Sequence, residues 1–163
     1  MRLAIVIALS LTLSACSNFQ PTEQPSFYQD IAKGAKLDAD AAASMFSGYR
    51  KNNGLPEVAL DPELMRMAQA QAETMAKRDK LEHNVKTPFT ARLKSSGYNA
   101  KQAAENIGAG YHTLAEAFSG WRDSPPHRAN MLLPGATRMG IAAVPAPGSK
   151  YQVYWALILA EPS

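Results

Sequence analysis

With 163 residues, 46% hydrophobic and 19% charged, the chain has the proportions of one globular domain that can bury about two-thirds of its unfolded surface in a single core. A formal charge of +3, scattered along the chain with no basic tract and no interleaved aromatic stripe, argues against a nucleic-acid partner. A single cysteine excludes an internal disulfide framework.

The first residues, "MRLAIVIALSLTLSAC", have the layout of an export signal: Arg2 as a charged start, an apolar run from Leu3 to Leu13, then small residues. That run is too short to span a bilayer. Its end, Leu13-Ser14-Ala15-Cys16, resembles a bacterial lipobox, in which the cysteine is lipidated and the signal is cut just before it; the alternative is a plain secretory signal with an unpaired thiol. Two or more acyl chains on Cys16 would anchor the protein durably to a membrane. By resemblance to lipoprotein sorting signals, Ser17 favours an outer membrane with the domain facing the periplasm. The expected division is a signal peptide over 1–15, a lipidated N-terminus and flexible tether over 16–37, where prolines and polar residues interrupt any periodicity, and a domain over 38–163.

Within the domain, Ala42, Met45, Phe46 and Tyr49 recur at helical spacing, and Asn52-Asn53-Gly54 ends that helix. Asp61-Pro62-Glu63 opens a second helix with a capping acid, proline in the first turn and a carboxylate near the positive end of the dipole. Its apolar face is Leu64, Met67, Ala68, Met75 and Ala76. A short helix follows Thr87-Pro88 and closes at Gly97. "AENIGAG" is expected as a loop or short extended piece. Thr113 and Glu116 form a capping box before a helix whose buried face is Leu114, Ala117, Phe118 and Trp121, stopped by Pro125 and Pro126.

The last third changes period. "RMGIAAVPA" and "YQVYWALILA" predict an antiparallel hairpin turning at Pro147, Gly148 and Ser149. In the second run Tyr151, Val153, Trp155, Leu157 and Leu159 alternate with Tyr154, Ala156, Ile158 and Ala160, so both faces are apolar and both need cover. The fold class is therefore α+β, a three-layer α/β/α sandwich around a largely antiparallel sheet.

Three titratable residues stand out: His83 in "LEHN", Glu105 in "AENIG" and His127 in "PPHRAN", each expected at an element end or in a loop. Their separation is too wide for a local metal signature. His112, beside Tyr111, is expected at the surface, and the methionines at helical spacing are expected to fill the core. Asn106 and Asn130 are suited to fixing loop backbone, and Arg128 to an anion or a solvated salt bridge.

In order along the chain, "LEHN", "AENIGAG", "W..S..HRANML", "RMGIA" and "YQVYWALIL" resemble the CAP superfamily: cysteine-rich secretory proteins, antigen 5 and pathogenesis-related 1, also called the SCP domain. "YRKNNGLPEVALDPELMRMAQAQAETMAK" fits the family's opening helices. The resemblance covers roughly residues 41–159 and implies an α/β/α sandwich with a cavity lined by two histidines and two glutamates. Carried onto this chain, those are His83, Glu105 and His127, while Ser124 stands where relatives keep the second acid. The relatives' disulfides and cysteine-rich tail are absent from this sequence.

The resemblance implies a ligand-binding cleft at His83, Glu105, Ser124 and His127, with Zn2+ or another divalent cation at His83 and His127 as the candidate cofactor. Glu105 would orient an imidazole or hold bound water. Lipid or a cell-wall component is the expected ligand of a monomeric domain. Two rivals remain open. One is a hydrolase with His127 as base and either metal-bound water or Ser124 as nucleophile, Glu105 completing a triad. The other is a structural module whose histidines satisfy a buried polar network. Ser124 before two prolines also reads as a helix N-cap.

Overall fold

Strand β4 (Gln152–Pro162) is buried along almost its whole length, and the rest of the domain is arranged to cover it. The computed structural model describes residues 24–163; the expected signal peptide and Cys16 lie outside the described residues. β4 sits inside a four-stranded sheet between β3 (Arg138–Ala146) and β2 (Ala100–Ala109), both antiparallel to it. A two-residue strand, β1 (Ala59–Leu60), adds in parallel to β3, so the order is β1-β3-β4-β2 and the sheet is mixed.

Each face of β4 has its own core. Val153, Trp155, Leu157 and Leu159 pack with Phe46 of α1 (Ala39–Asn52), with Leu114 and Trp121 of α4 (Leu114–Asp123), and with Met131 of α5 (Pro125–Met131). Tyr154, Ala156, Ile158 and Ala160 pack with Leu64, Met67, Ala72 and Met75 of α2 (Pro62–Arg78), to which α3 (Phe89–Ser96) adds Phe89 and Leu93. This is the three-layer sandwich required by a strand that is apolar on both sides. Tyr151 departs from the expected alternation. Gln152 takes a left-handed φ of 65°, which turns Tyr151 onto the other face, with its ring 5.9 Å from Tyr154.

The helix starts follow local chemistry. Asp38 accepts from Ala41 N at 2.9 Å, Asp61 accepts from Glu63 N and Leu64 N, and Thr113 with Glu116 completes the capping box. α2 approaches the sheet so closely that a Cβ on Gly140 of β3 would overlap the Leu64 carbonyl, so only glycine fits there.

Of the two forms expected for "AENIGAG", a loop or a short extended piece, it takes the extended one, inside a longer element: Ala100–Ala109 is a ten-residue strand in register with β4, Glu105 opposite Ile158 and Gly108 opposite Trp155. Pairing with an already buried neighbour outweighs the weak strand tendency of its alanines and glycines. One expectation needs correction, because 24–37, expected within the tether, is not free. It forms two short 3-10 turns, Ser26–Tyr28 and Ile31–Lys33; Ile31 is buried, and Phe27, Ala32, Ala35 and Leu37 pack on the α1/α4 core. Five apolar side chains without periodicity can cover a core without forming a long element.

Arg50 closes the α1 side. It lies one turn after Phe46 in the buried stripe, and its side chain donates to the carbonyls of Pro56 (2.9 Å), Met131 (2.9 Å), Leu133 (3.0 Å) and Ala136 (2.8 Å). No carboxylate pairs with it among the described residues, and burial lowers its proton affinity. The planar five-donor guanidinium meets several carbonyls that a lysine's point charge could not reach together. Replacing Arg50 with methionine strands those buried acceptors, and with lysine satisfies only some. Thermal or urea unfolding should show a loss of about 3 kcal/mol or more for Arg50→Met and a smaller loss for Arg50→Lys.

Candidate functional site

β2 is an edge strand, and its alternation sends neighbouring side chains into opposite layers. Ala103, Ile107 and Ala109 lie on the α2/α3 side, and Glu105 shares their parity. Asn106 points the other way, toward α5. The site forms where the two helical layers meet around this edge.

Glu105 is the buried charge at its centre, with its side chain 1% exposed. An unpaired carboxylate there would be very costly, and α3 supplies the counter-charge: Arg92 Nη2 lies 2.8 and 2.7 Å from the two carboxylate oxygens. Arg92 Nε donates to the Thr87 carbonyl at 3.1 Å, and the guanidinium sits 5.4 Å from the Phe89 ring, so the cation is fixed before it meets Glu105. His83 completes the cluster, with Nδ1 2.9 Å from Glu105 Oε1 and a side chain 46% exposed. Its loop is pinned from below, because buried Gln71 donates to the Glu82 and His83 carbonyls and Arg78 donates to Val85 O.

A carboxylate facing Arg92 only accepts, so His83 Nδ1 must carry the proton. The lone pair of neutral His83 is therefore at Nε2.

On the other side, Pro125 and Pro126 start α5 and bring His127 back over Ser124. His127 Nδ1 lies 2.8 Å from Ser124 Oγ, while Ser124 makes no side-chain capping bond to the backbone. α5 is locked to β2 by a pair of asparagines. Asn106 Nδ2 donates to His127 O at 2.9 Å, and Asn130 Nδ2 donates to Asn106 Oδ1 at 2.9 Å and to the Glu105 carbonyl at 3.2 Å. Burial first, and then the nearby His83, lower the proton affinity of His127, so its neutral form is favoured.

The structure thus brings together His83, Glu105, Ser124 and His127, but in two pairs. Glu105 orients His83 and not His127, so it does not act as the third member of a Ser124–His127 triad. It also sits mid-strand rather than at an element end, the position expected from the sequence. His112 lies elsewhere, 4.0 Å from Asp30 across the N-terminal turns, and Arg128 is exposed without an ion pair among the described residues. Arg92 is the site residue that sequence reasoning missed. It lies in an unremarkable amphipathic segment, and nothing local ties it to Glu105. Among the described residues no group of three or more His, Cys, Asp or Glu side chains is placed to hold a metal ion.

Arg92→Met leaves Glu105 buried without its cation and should cost about 3–5 kcal/mol in unfolding experiments, much of it restored by adding Glu105→Gln. A second expectation concerns pH. Unfolded His127 takes up its proton near the ordinary value of 6.5 and the folded residue only at lower pH. Within that window the unfolded chain binds more protons, so stability falls as pH drops below about 6.5. The melting temperature of His127→Gln should decline less than that of the wild type between pH 7 and pH 5.

The profile of the Cysteine-rich secretory protein family, CAP, matches residues 43–159. A Bacillus subtilis relative, the uncharacterized protein YkwD, is 34% identical over 143 residues, 76% of this chain, and the chain spans 55% of that relative's length. The fold is shared with an extracellular SCP-domain protein of Bacillus anthracis (TM-score 0.65, 21% identity, 75% of this chain and 39% of that one). It is shared also with an outer surface protein of Borrelia burgdorferi (TM-score 0.70, 16% identity, 78% of this chain and 98% of that one). The match across most of the domain, with the histidines and the glutamate gathered at one sheet edge, shows that this chain belongs to the CAP superfamily.

Proposed function

We propose that the protein is an extracytoplasmic CAP-domain lipoprotein, anchored through Cys16, whose sheet-edge site binds a ligand with the two imidazoles of His83 and His127. The observation that carries this reading is the pairing of the ring nitrogens. Each Nδ1 is held by a neighbour, Glu105 or Ser124, and neither Nε2 has a hydrogen-bond partner among the described residues. Two oriented imidazoles with free nitrogens form a recognition site rather than a satisfied core network. The extracellular and surface placement of the Bacillus anthracis and Borrelia burgdorferi proteins supports the compartment. No helix of the described residues is long and apolar enough to cross a membrane.

The donor set fits a borderline divalent cation such as Zn2+ only through these two nitrogens. Glu105 is occupied by Arg92 and His83, and Ser124 brings a hydroxyl where relatives keep an acid. His83 and His127 would hold such an ion, whose role when bound would be to polarise an oxygen of the ligand. Glu105 would keep the His83 tautomer that presents Nε2, as an outer carboxylate does in many metal sites. A lipid or cell-wall ligand remains the expected class.

A hydrolase reading is favoured by one contact, Ser124 Oγ to His127 Nδ1 at 2.8 Å, which is the distance of a nucleophile on its base. It lacks the orienting acid, since Glu105 serves His83.

Calorimetric zinc titration at pH 7.5 decides the cation. Binding by the wild type, weakened at least tenfold by His83→Ala or His127→Ala, is the expected result. Retention of full affinity in both variants would place any zinc elsewhere. Turnover of peptide or envelope substrates that survives chelator and disappears in Ser124→Ala would move the assignment to the hydrolase. Cys16→Ser should release the protein from the membrane fraction.

A further inference from the structure

The charge expected to be scattered along the chain has one local concentration. Residues 77–94, running from the end of α2 through the His83 loop into α3, hold six basic and two acidic residues, a net +4, while the whole chain carries +3, so the remainder is slightly negative. Arg92 is spent on Glu105. The other five, Lys77, Arg78, Lys80, Lys86 and Lys94, are all exposed, and none of them pairs with a carboxylate among the described residues. The fold gathers them, because Arg78 bonds Val85 O and Arg92 reaches back to the His83 carbonyl, drawing the helix end, the loop and α3 together. The hairpin turn adds exposed Lys150, whose backbone N–H bonds the Asp79 carboxylate.

Between α2 and α3 lies a groove of about 500 Å3 including its solvent-open part, lined by Arg66, Met67, Ala70, Arg92, Ser95 and Ser96, the last three flanking Lys94 in sequence. Arg66 on its α2 wall is paired with Glu63, and Arg92 on its α3 wall leads to Glu105 and His83.

We propose that this rim is the docking surface for an extended polyanion, a linear polymer with an anionic group on each repeat unit, which runs along Lys77, Lys80, Lys86 and Lys94 and past the His83 side of the site. Solvated lysines spaced around a loop match charges repeated along a flexible chain, and they release counterions on binding it. A strand can follow the groove, whereas a flat bilayer cannot. Leu81 is the one exposed large hydrophobic residue on the rim, too little to anchor in lipid. The inference stands apart from the ligand reading above, since it requires neither imidazole.

Binding of the full chain to inorganic polyphosphate and to polyglutamate, followed across a salt series, provides the test. Wild type should bind, with affinity falling steeply as salt rises. The combined Lys77→Gln, Lys80→Gln, Lys86→Gln and Lys94→Gln protein should lose at least tenfold at low salt and flatten the salt dependence. The control set Lys33→Gln, Lys36→Gln, Lys51→Gln and Lys101→Gln, also exposed and equal in charge removed, should bind as wild type does. Equal loss in both lysine sets, no binding by wild type at low salt, or binding to phosphatidylglycerol/phosphatidylcholine vesicles but to neither polymer would each overturn the proposal. Melting temperatures of both sets check the fold, and single Lys80→Gln and Lys86→Gln substitutions give the same comparison if a combined set melts early.

Discussion

A carboxylate buried on an edge strand is the constraint around which this site is organised. Glu105 cannot sit at 1% exposure without a cation, so α3 must lie where Arg92 reaches it, and the loop before α3 must pass close enough for His83 to share an oxygen. The position on β2 matters as much as the charge. An interior strand would keep the two helical layers apart, whereas the edge lets a histidine from each layer approach the same place. The outward backbone of that edge is not left free, because Asn130 covers the Glu105 carbonyl and Asn106 holds α5 against it.

The two imidazoles are consequently unlike. His83 is half-exposed and tied to a charged group. His127 is more buried, tied to a hydroxyl, and held toward its neutral form. This inequality follows from Ser124 offering a hydroxyl rather than a carboxylate, which leaves His127 without an acidic partner. The basic rim adds a third environment, solvated and cationic, beside the exposed histidine. A buried acid, an inner neutral imidazole and an outer basic surface lie within one stretch of the sheet edge, and each depends on a different degree of solvent access.

Much of the fold was legible locally. The Asp61 cap, the Thr113/Glu116 box and the prolines after Ser124 act within a turn of themselves, so their effect can be read without knowing the rest of the chain. The two-faced apolar pattern of β4 implied cover on both sides, and α2 on one side with α1 and α4 on the other provide it. What could not be read was set by distant partners. β2 is a strand because β4 lies beside it, Arg50 is buried because four carbonyls from separate segments converge on it, and residues 26–37 pack because a core face was open there.

By itself the sequence determined the layered class, the helix boundaries and the ordered histidine and glutamate motifs of the family, since those depend on periodicity, capping and residue identity. The tertiary structure alone decided which pairs form: Glu105 with Arg92 and His83, Ser124 with His127, and Arg78 with the loop at Val85. The physical reason is that a buried charge or a shared surface is defined by groups far apart in the chain, and only folding brings their distances and their solvent to fixed values.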